Sequence, residues 1–533
     1  MGSVIVPAGI SRSATALSVS LLVLASFPLL ALLPYGLPYA LGVIRAEKEA
    51  LLPGIHTIAL LGNTSVVVVG TAAGSLVLGT LSALSILSFG SRTARAVLFG
   101  GALALIVPTY VAGVAWFYLF GPEGGIGSLV RTFGGDPIAL LKGPWPVAAF
   151  LALCWYPIPM LAVYAGLRQT DREAVEAALL IGGPRRATSV LLRGLLKPIA
   201  WAGFFVALLA LAEVGVPGLF QTPVLALYVF TGISVSLDPG SAFLPAATML
   251  LAAAPLMVLW SRLQGKQSLW VLAGSFSRVS VLASIVPKTS AAAFLAFLLF
   301  LSAGLPLGYL LYKSLSPDAW LLLWETGLGE AAWSLVLAFG AAATLTSIGL
   351  WLAYASARGG SGFHSSLQRW LWIPFMLPAG ALGLGLILAW NRPPFLAVLG
   401  GSPALLILAY LVKFAGVPAY LLAGGVGQVS PDQEEAAATL GAPWRKGFAR
   451  VLVPAALPAL LAAWALTYLL VLGDLGLAAL LVPPGFSTLP LRIFNAVHYG
   501  PESFVAALCV ALVSLSLLPA ALWFAVRGAR MVG

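Results

Sequence analysis

The sequence predicts an all-α polytopic membrane protein, with about 12 transmembrane helices in two homologous six-helix halves related by a pseudo-two-fold axis. Three observations carry this: the composition, the spacing of long apolar runs, and a basic loop that occurs twice. Of 533 residues, 60% are hydrophobic and only 8% charged. Soluble proteins carry about 25% charged residues, so this chain has too few to cover its apolar surface in water. Lipid must therefore be part of its solvent. That excludes a soluble enzyme, a secreted disulfide scaffold and a disordered chain. The apolar runs are continuous rather than alternating, which excludes a transmembrane β-barrel.

A helix needs roughly 20 apolar residues to cross the hydrocarbon core. Runs of that kind fall near 17–41, 56–88, 96–120, 145–167, 199–232 and 241–262, and again near 290–312, 331–356, 370–390, 402–424, 454–482 and 503–527. The first run is too long for a removable signal peptide, and another span follows it directly. With the N-terminus in the cytoplasm, most of the 28 Lys and Arg fall on the inner side, including Arg92, Arg95, Arg168, Arg185, Arg186, Arg193, Lys197, Arg358, Arg445, Lys446 and Arg450. The opposite topology would translocate the densest basic loops, so both termini are expected inside. The net charge of +11 is then a cytoplasmic-loop signature, with no nucleic acid as partner. Cys154 and Cys509 sit within apolar runs and read as buried thiols.

The largest basic loop of each half lies between its fourth and fifth span. The first reads DREAVEAALLIGGPRRATSVLLRGLLKP (171–198) and the second PDQEEAAATLGAPWRKGFARVLVP (431–454). Both contain Glu-Ala-Ala, a Gly six residues after the Glu, and a Pro two residues later: Glu176, Ala177, Ala178, Gly182 and Pro184, matched by Glu435, Ala436, Ala437, Gly441 and Pro443. The two copies lie about half the chain apart, as duplication of a six-helix unit would leave them, with a first repeat over 1–270 and a second over 271–533. Ala and Glu favour helix, and Gly and Pro then break it. Each loop is thus expected to form a short helix, a turn and a second amphipathic segment bearing Arg185 and Arg186, or Arg445 and Lys446. The result is a rigid cytoplasmic knob.

These loops resemble the signature of the permease subunits of type I bacterial ABC importers: EAA, three residues, Gly, nine residues, an aliphatic residue, one residue, Leu-Pro. The second copy follows it through Val451 and Pro454, with Val453 for Leu; the first has Leu195 where the Pro is expected and Pro198 three residues later. The fused arrangement is similar to the ferric-iron and thiamine permease group, as are the stretches AEVGVPGLF (212–220) and LGDLGLAALLVPPGFSTLPLRIFNAVHYG (472–500). The resemblance implies a bacterial inner-membrane permease whose two loops are coupling helices, each inserting into one copy of an ABC ATPase. It also implies an extracytoplasmic substrate-binding protein. The expected substrate is ferric iron, with thiamine, an organophosphonate or an oxyanion as the alternative. An ion-coupled secondary transporter is disfavoured, because it has no use for two ATPase-docking knobs.

The chain has no Walker-type phosphate loop, no catalytic constellation and no clustered metal ligands; His56, His364 and His498 are scattered. It is expected to bind no cofactor itself, ATP and Mg being used by the partner ATPase. Two carboxylates, Glu213 and Asp474, fall inside apolar runs at nearly equivalent distances from the motif glutamates. An ionisable group in a span faces a cavity or a partner. Two readings stand side by side: a pair of acidic groups lining the pathway, or structural carboxylates paired with neighbours such as Lys413 or Arg492.

Overall fold

The computed structural model describes residues 13–17, 19–21, 23, 30, 34, 55–169, 172–234, 245–255, 258, 287–358, 370–390 and 402–522. Among these every regular element is helical. The principal helices are α1 (Ile55–Ile86), α2 (Ser91–Ile106), α3 (Thr109–Phe120), α4 (Pro144–Trp155), α5 (Pro157–Gln169), α6 (Arg172–Ala212) and α7 (Leu225–Ser234). They continue with α8 (Lys288–Lys313), α9 (Leu328–Arg358), α10 (Ala379–Trp390), α11 (Ala404–Phe414), α12 (Gly416–Gly427), α13 (Pro431–Thr439), α14 (Trp444–Leu472), α15 (Leu489–Tyr499) and α16 (Glu502–Leu522). Six helices among the described residues are individually long and apolar enough to span a membrane, and nine spans result if each bent pair is one. The expected span near 17–41 lies largely outside the described residues. The one near 241–262 is described over Pro245–Pro255, and the one near 370–390 is a short turn of helix followed by α10.

Prolines explain where spans bend. Pro157 follows α4, and the α4–α5 pair bends by 47°; the equivalent α11–α12 pair, with Gly416 and Pro418, bends by 48°. A ring nitrogen has no proton to donate and clashes with the preceding turn, so the axis tilts at that point. Two helices instead widen for one π turn, Phe300–Gly304 in α8 and Phe448–Leu452 in α14, each ending two residues before a proline (Pro306, Pro454). The extra residue moves a carbonyl out of the way of the ring.

Small residues set the close contacts within each half. Along α1, a Cβ on Gly70 or Gly74 would meet Ala148 or Ala152 of α4 at 2.9 and 2.8 Å, and one on Gly79 would meet the Tyr156 carbonyl oxygen at 2.6 Å. Thr71 and Ser75, on the same face, each donate to an α4 carbonyl at 3.4 Å. The second half repeats the contact, with a Cβ on Gly349 of α9 lying 2.8 Å from the main chain of Pro418. Hydrophobicity gives little drive between helices in lipid, so backbone approach and hydrogen bonds do this work. The outward side of α1 carries Ile58, Val69 and Val77, all more than half exposed, as a lipid-facing surface should.

The halves interlock. α8 opens the second half in sequence but packs its Leu295 and Leu298 with Ala83, Tyr156 and Met160 of the first. Reciprocally, the Trp351 indole of α9 donates to Ser13 at 3.1 Å. An aromatic cluster closes the seam: Trp201 stacks on Tyr420 at 6.0 Å, and Phe205 stacks on Phe375 at 5.9 Å with Trp372 edge-on. Trp201 and Phe205 belong to α6, so the cluster ties the helix leaving the first loop to the second half.

Candidate functional site

The two repeated loops fold as the sequence expects in outline. In the first, α6 runs from Arg172 and breaks at Gly183, whose φ of 68° and ψ of −169° interrupt the helix; an apolar helix then continues from Arg185 to Ala212. In the second, α13 ends at Thr439, Gly441 turns the chain with φ of 80°, and α14 starts at Trp444. Positive φ places a Cβ against the carbonyl, which is why glycine occupies both turns. The first turn falls on Gly183, one residue later than the spacing assigns through Gly182. Where the signature expects Pro at 195, Leu195 is buried and the helix runs on, and Pro198 fills the space over Gly166.

Exposure repeats between the copies. Ala177 and Ala436 are exposed, and Glu176, Ala178, Glu435 and Ala437 are half-buried. Arg185, Arg186, Arg445 and Lys446 are exposed on the segments after the turns. Sequence reasoning missed the apolar residue before each motif glycine: Ile181 is 77% exposed and Leu440 88%. Both stand one residue before the motif Gly, so aligning the repeats would have found them. It also missed Arg358. Arg358 forms a buried ion pair with Glu434 at 2.8 Å and donates to the Val429 carbonyl at 2.7 Å.

The two acidic residues prove to be helix caps first. Glu213 follows the end of α6, and its Oε1 accepts the main-chain N–H groups of Gly215 and Val216 at 3.0 and 3.2 Å, at the start of the short helix Gly215–Leu219. Asp474 follows α14, and its Oδ1 accepts the Leu477 N–H at 2.8 Å, ahead of the short helix Ala478–Leu481. A carboxylate there satisfies donors that the helix start leaves unpaired. The second oxygens differ. Glu213 Oε2 accepts from the Thr109 hydroxyl at 3.3 Å, whereas Asp474 Oδ2 pairs with Lys413 Nζ at 2.7 Å. Lys413 stands five residues before Pro418 and Cys154 five before Pro159, so the thiol occupies the twin position of the ammonium. Arg492, the other suggested partner, lies 4.0 Å from Glu330 instead.

The acidic turns approach one another where the halves meet. Thr109 holds Glu213, and a Cβ on Gly473 would lie 3.5 Å from Pro108, the neighbouring residue. Lys413 is also near enough to act electrostatically on Glu213. This seam therefore holds two carboxylates and one ammonium. Among the described residues no group of three His, Cys, Asp or Glu could hold a metal. His498 Nδ1 contacts the Phe494 carbonyl oxygen at 2.8 Å, and His364 lies outside the described residues.

Comparison with known proteins places this architecture. Residues 345–531 match the family described as "Binding-protein-dependent transport system inner membrane component". Over 229 residues the chain is 31% identical to the putative 2-aminoethylphosphonate transport system permease protein PhnV of Salmonella typhimurium, covering 40% of this chain and 85% of that protein. The chain belongs to the binding-protein-dependent transport permease family. It is the membrane permease subunit of an ABC importer, a multi-pass inner-membrane transport protein. The PhnV match, most of one relative against less than half of this chain, is what a chain built of two such units gives. The Fe(3+)-transport system permease protein FbpB 2 of Haemophilus influenzae aligns over 504 residues at 23% identity, covering 90% of this chain and 93% of that protein. The putrescine transport system permease protein PotI of Escherichia coli is 30% identical over 156 residues, 28% of this chain and 53% of that protein.

Proposed function

We propose that this permease imports ferric iron, driven by two copies of a separate ABC ATPase and supplied by an extracytoplasmic binding protein. The observation that carries the substrate is the alignment over nine-tenths of the chain with a permease named for Fe(3+) transport. The acidic turns agree with it. Lys413 pairs with Asp474, and Glu213 adds a second carboxyl to the seam, both in turns at the ends of the helices that leave the coupling loops. Oxygen donors suit a hard cation. The match to PhnV favours an organophosphonate as the second reading. In either case both termini are cytoplasmic, and the repeats divide near residue 270.

Coupling is assigned to Glu176, Ala177, Ala178, Gly182, Arg185 and Arg186 in the first loop, and to Glu435, Ala436, Ala437, Gly441, Arg445 and Lys446 in the second. The exposed Ile181 and Leu440 are the apolar contacts each knob offers to an ATPase cleft, since a solvated aliphatic side chain at the same place in both copies has no packing role in the permease itself. ATP and Mg stay with the ATPase.

The test is reconstitution with the cognate ATPase and binding protein in vesicles, following labelled ferric iron and, separately, 2-aminoethylphosphonate. Iron uptake that needs ATP is expected. Phosphonate uptake without iron uptake would replace the substrate and leave the importer intact. Normal uptake by Glu435→Arg with Gly441→Leu would remove the coupling assignment, and one ATPase per permease would remove the stoichiometry.

A further inference from the structure

The second coupling loop is fastened to the bundle by a buried polar knot. Glu434, immediately before the motif glutamate, is 7% exposed although its neighbours on α13 face outward. Its Oε1 accepts from the Arg358 guanidinium at 2.8 and 2.9 Å, and its Oε2 accepts from the Tyr354 hydroxyl at 3.0 Å. Arg358 closes α9, and Tyr354 lies one turn earlier on the same face. The same guanidinium donates to the Val429 carbonyl in the turn between α12 and α13, and the Trp444 indole donates to Tyr354 at 2.8 Å from the start of α14. Four elements meet in one network, with the ion-pair side chains only 4% and 5% exposed.

Turns bound α13 on both sides. Ser430 caps its start, and Gly441 with positive φ follows its end. A short helix between two turns can pivot, and force applied to it would be spent in rotation. A planar guanidinium with acceptors on two elements removes that freedom, because its donors are fixed in direction. Low exposure strengthens the network, since water does not compete for its bonds.

We propose that the Arg358–Glu434 pair is the joint through which the second coupling loop moves the membrane bundle, both residues acting as positioning residues. The proposal rests on the reading of that loop as an ATPase dock. When the ATPase displaces α13, the pair carries the displacement directly into α9, and Trp444 carries it into α14. The matching position before the first motif glutamate is Val175, buried at 2%, so the first loop seats on its bundle through an apolar contact at that place.

The experiment uses the whole chain with its ATPase in lipid nanodiscs. Spin labels are placed at Phe133→Cys and Tyr499→Cys, which are 84% and 94% exposed, while the native Cys154 and Cys509 are buried. The inter-label distance is measured without nucleotide and with a non-hydrolysable ATP analogue. In the otherwise native chain the analogue should shift the distance. In Glu434→Gln or Arg358→Met the ATPase should remain bound, while the shifted population falls about tenfold, within the range of coupling between linked sites. Arg358→Lys, which keeps the charge but not the fork, should restore part of it. If Glu434→Gln does not fold, Tyr354→Phe carries the same test with a smaller loss. An unchanged distance response in these variants would overturn the joint, and so would loss of ATPase binding, since the pair would then shape the dock itself. If the native chain neither holds the ATPase nor responds to the analogue, the docking reading fails instead.

Discussion

The Lys413–Asp474 pair gives a sharp test of what charge does in the seam between the halves. The side chains are 7% and 8% exposed and 2.7 Å apart. Removing one member of a buried pair strands the other, at a cost of about 3–5 kcal/mol. Lys413→Met leaves Asp474 with the Leu477 N–H as its remaining hydrogen bond in the structure. Asp474→Asn keeps that cap through its amide oxygen but strands the ammonium. Each single substitution should therefore destabilise by about 3–5 kcal/mol, while the double Lys413→Met with Asp474→Asn should lie within about 1 kcal/mol of the native chain, because no charge is left uncompensated. The two losses then cannot add, and the interaction term approaches the sum of the two single losses with opposite sign. Reversible unfolding by SDS in mixed micelles, followed by tryptophan fluorescence, measures all four proteins. A Lys413→Met loss below about 1 kcal/mol, or a double mutant that sums the two single losses, would refute the argument.

Glu213→Gln with Asp474→Asn should lower labelled iron uptake about tenfold or more, while ATP hydrolysis continues; undiminished uptake would remove both from the pathway. Gly183→Val and Gly441→Val each force a β-branched residue to positive φ, at about 1–2 kcal/mol, and should weaken co-purification of the ATPase. Retention at native levels would show that the turns do not set the dock. Gly79→Ala and Gly349→Ala drive a methyl into neighbouring main chain and should reduce folded yield in detergent, whereas Gly62→Ala, which meets nothing within 4 Å, should not. Trp201→Ala should destabilise by about 3–5 kcal/mol through loss of the stack on Tyr420, read in the same SDS titration; a change below about 1 kcal/mol would mean the cluster does not hold the halves together.

Several features were legible in the residues alone, because each depends on local chemistry. Composition and run length forced lipid as the solvent. Glu-Ala-Ala followed by Gly and Pro specified helix, break and helix in both loops, and the family followed from those loops. What needed the tertiary structure were the pairings. Glu434 reads in sequence as one more acidic residue of a solvated helix start, and nothing nearby in the chain identifies Arg358 and Tyr354 as its partners; they arrive from a helix some 76 and 80 residues earlier. Asp474 and Glu213 look alike in sequence, yet the fold gives one an ammonium and the other a hydroxyl. The residues that differ, Lys413 and Cys154, lie on another helix. The interlocking of α8 with the first half was equally hidden, since span order carries no information on which neighbour a lipid-soluble helix will choose. In a membrane every apolar face is already satisfied by lipid. Helix partners are therefore decided by close-fitting glycines and by buried polar groups that find each other only when the chain is folded.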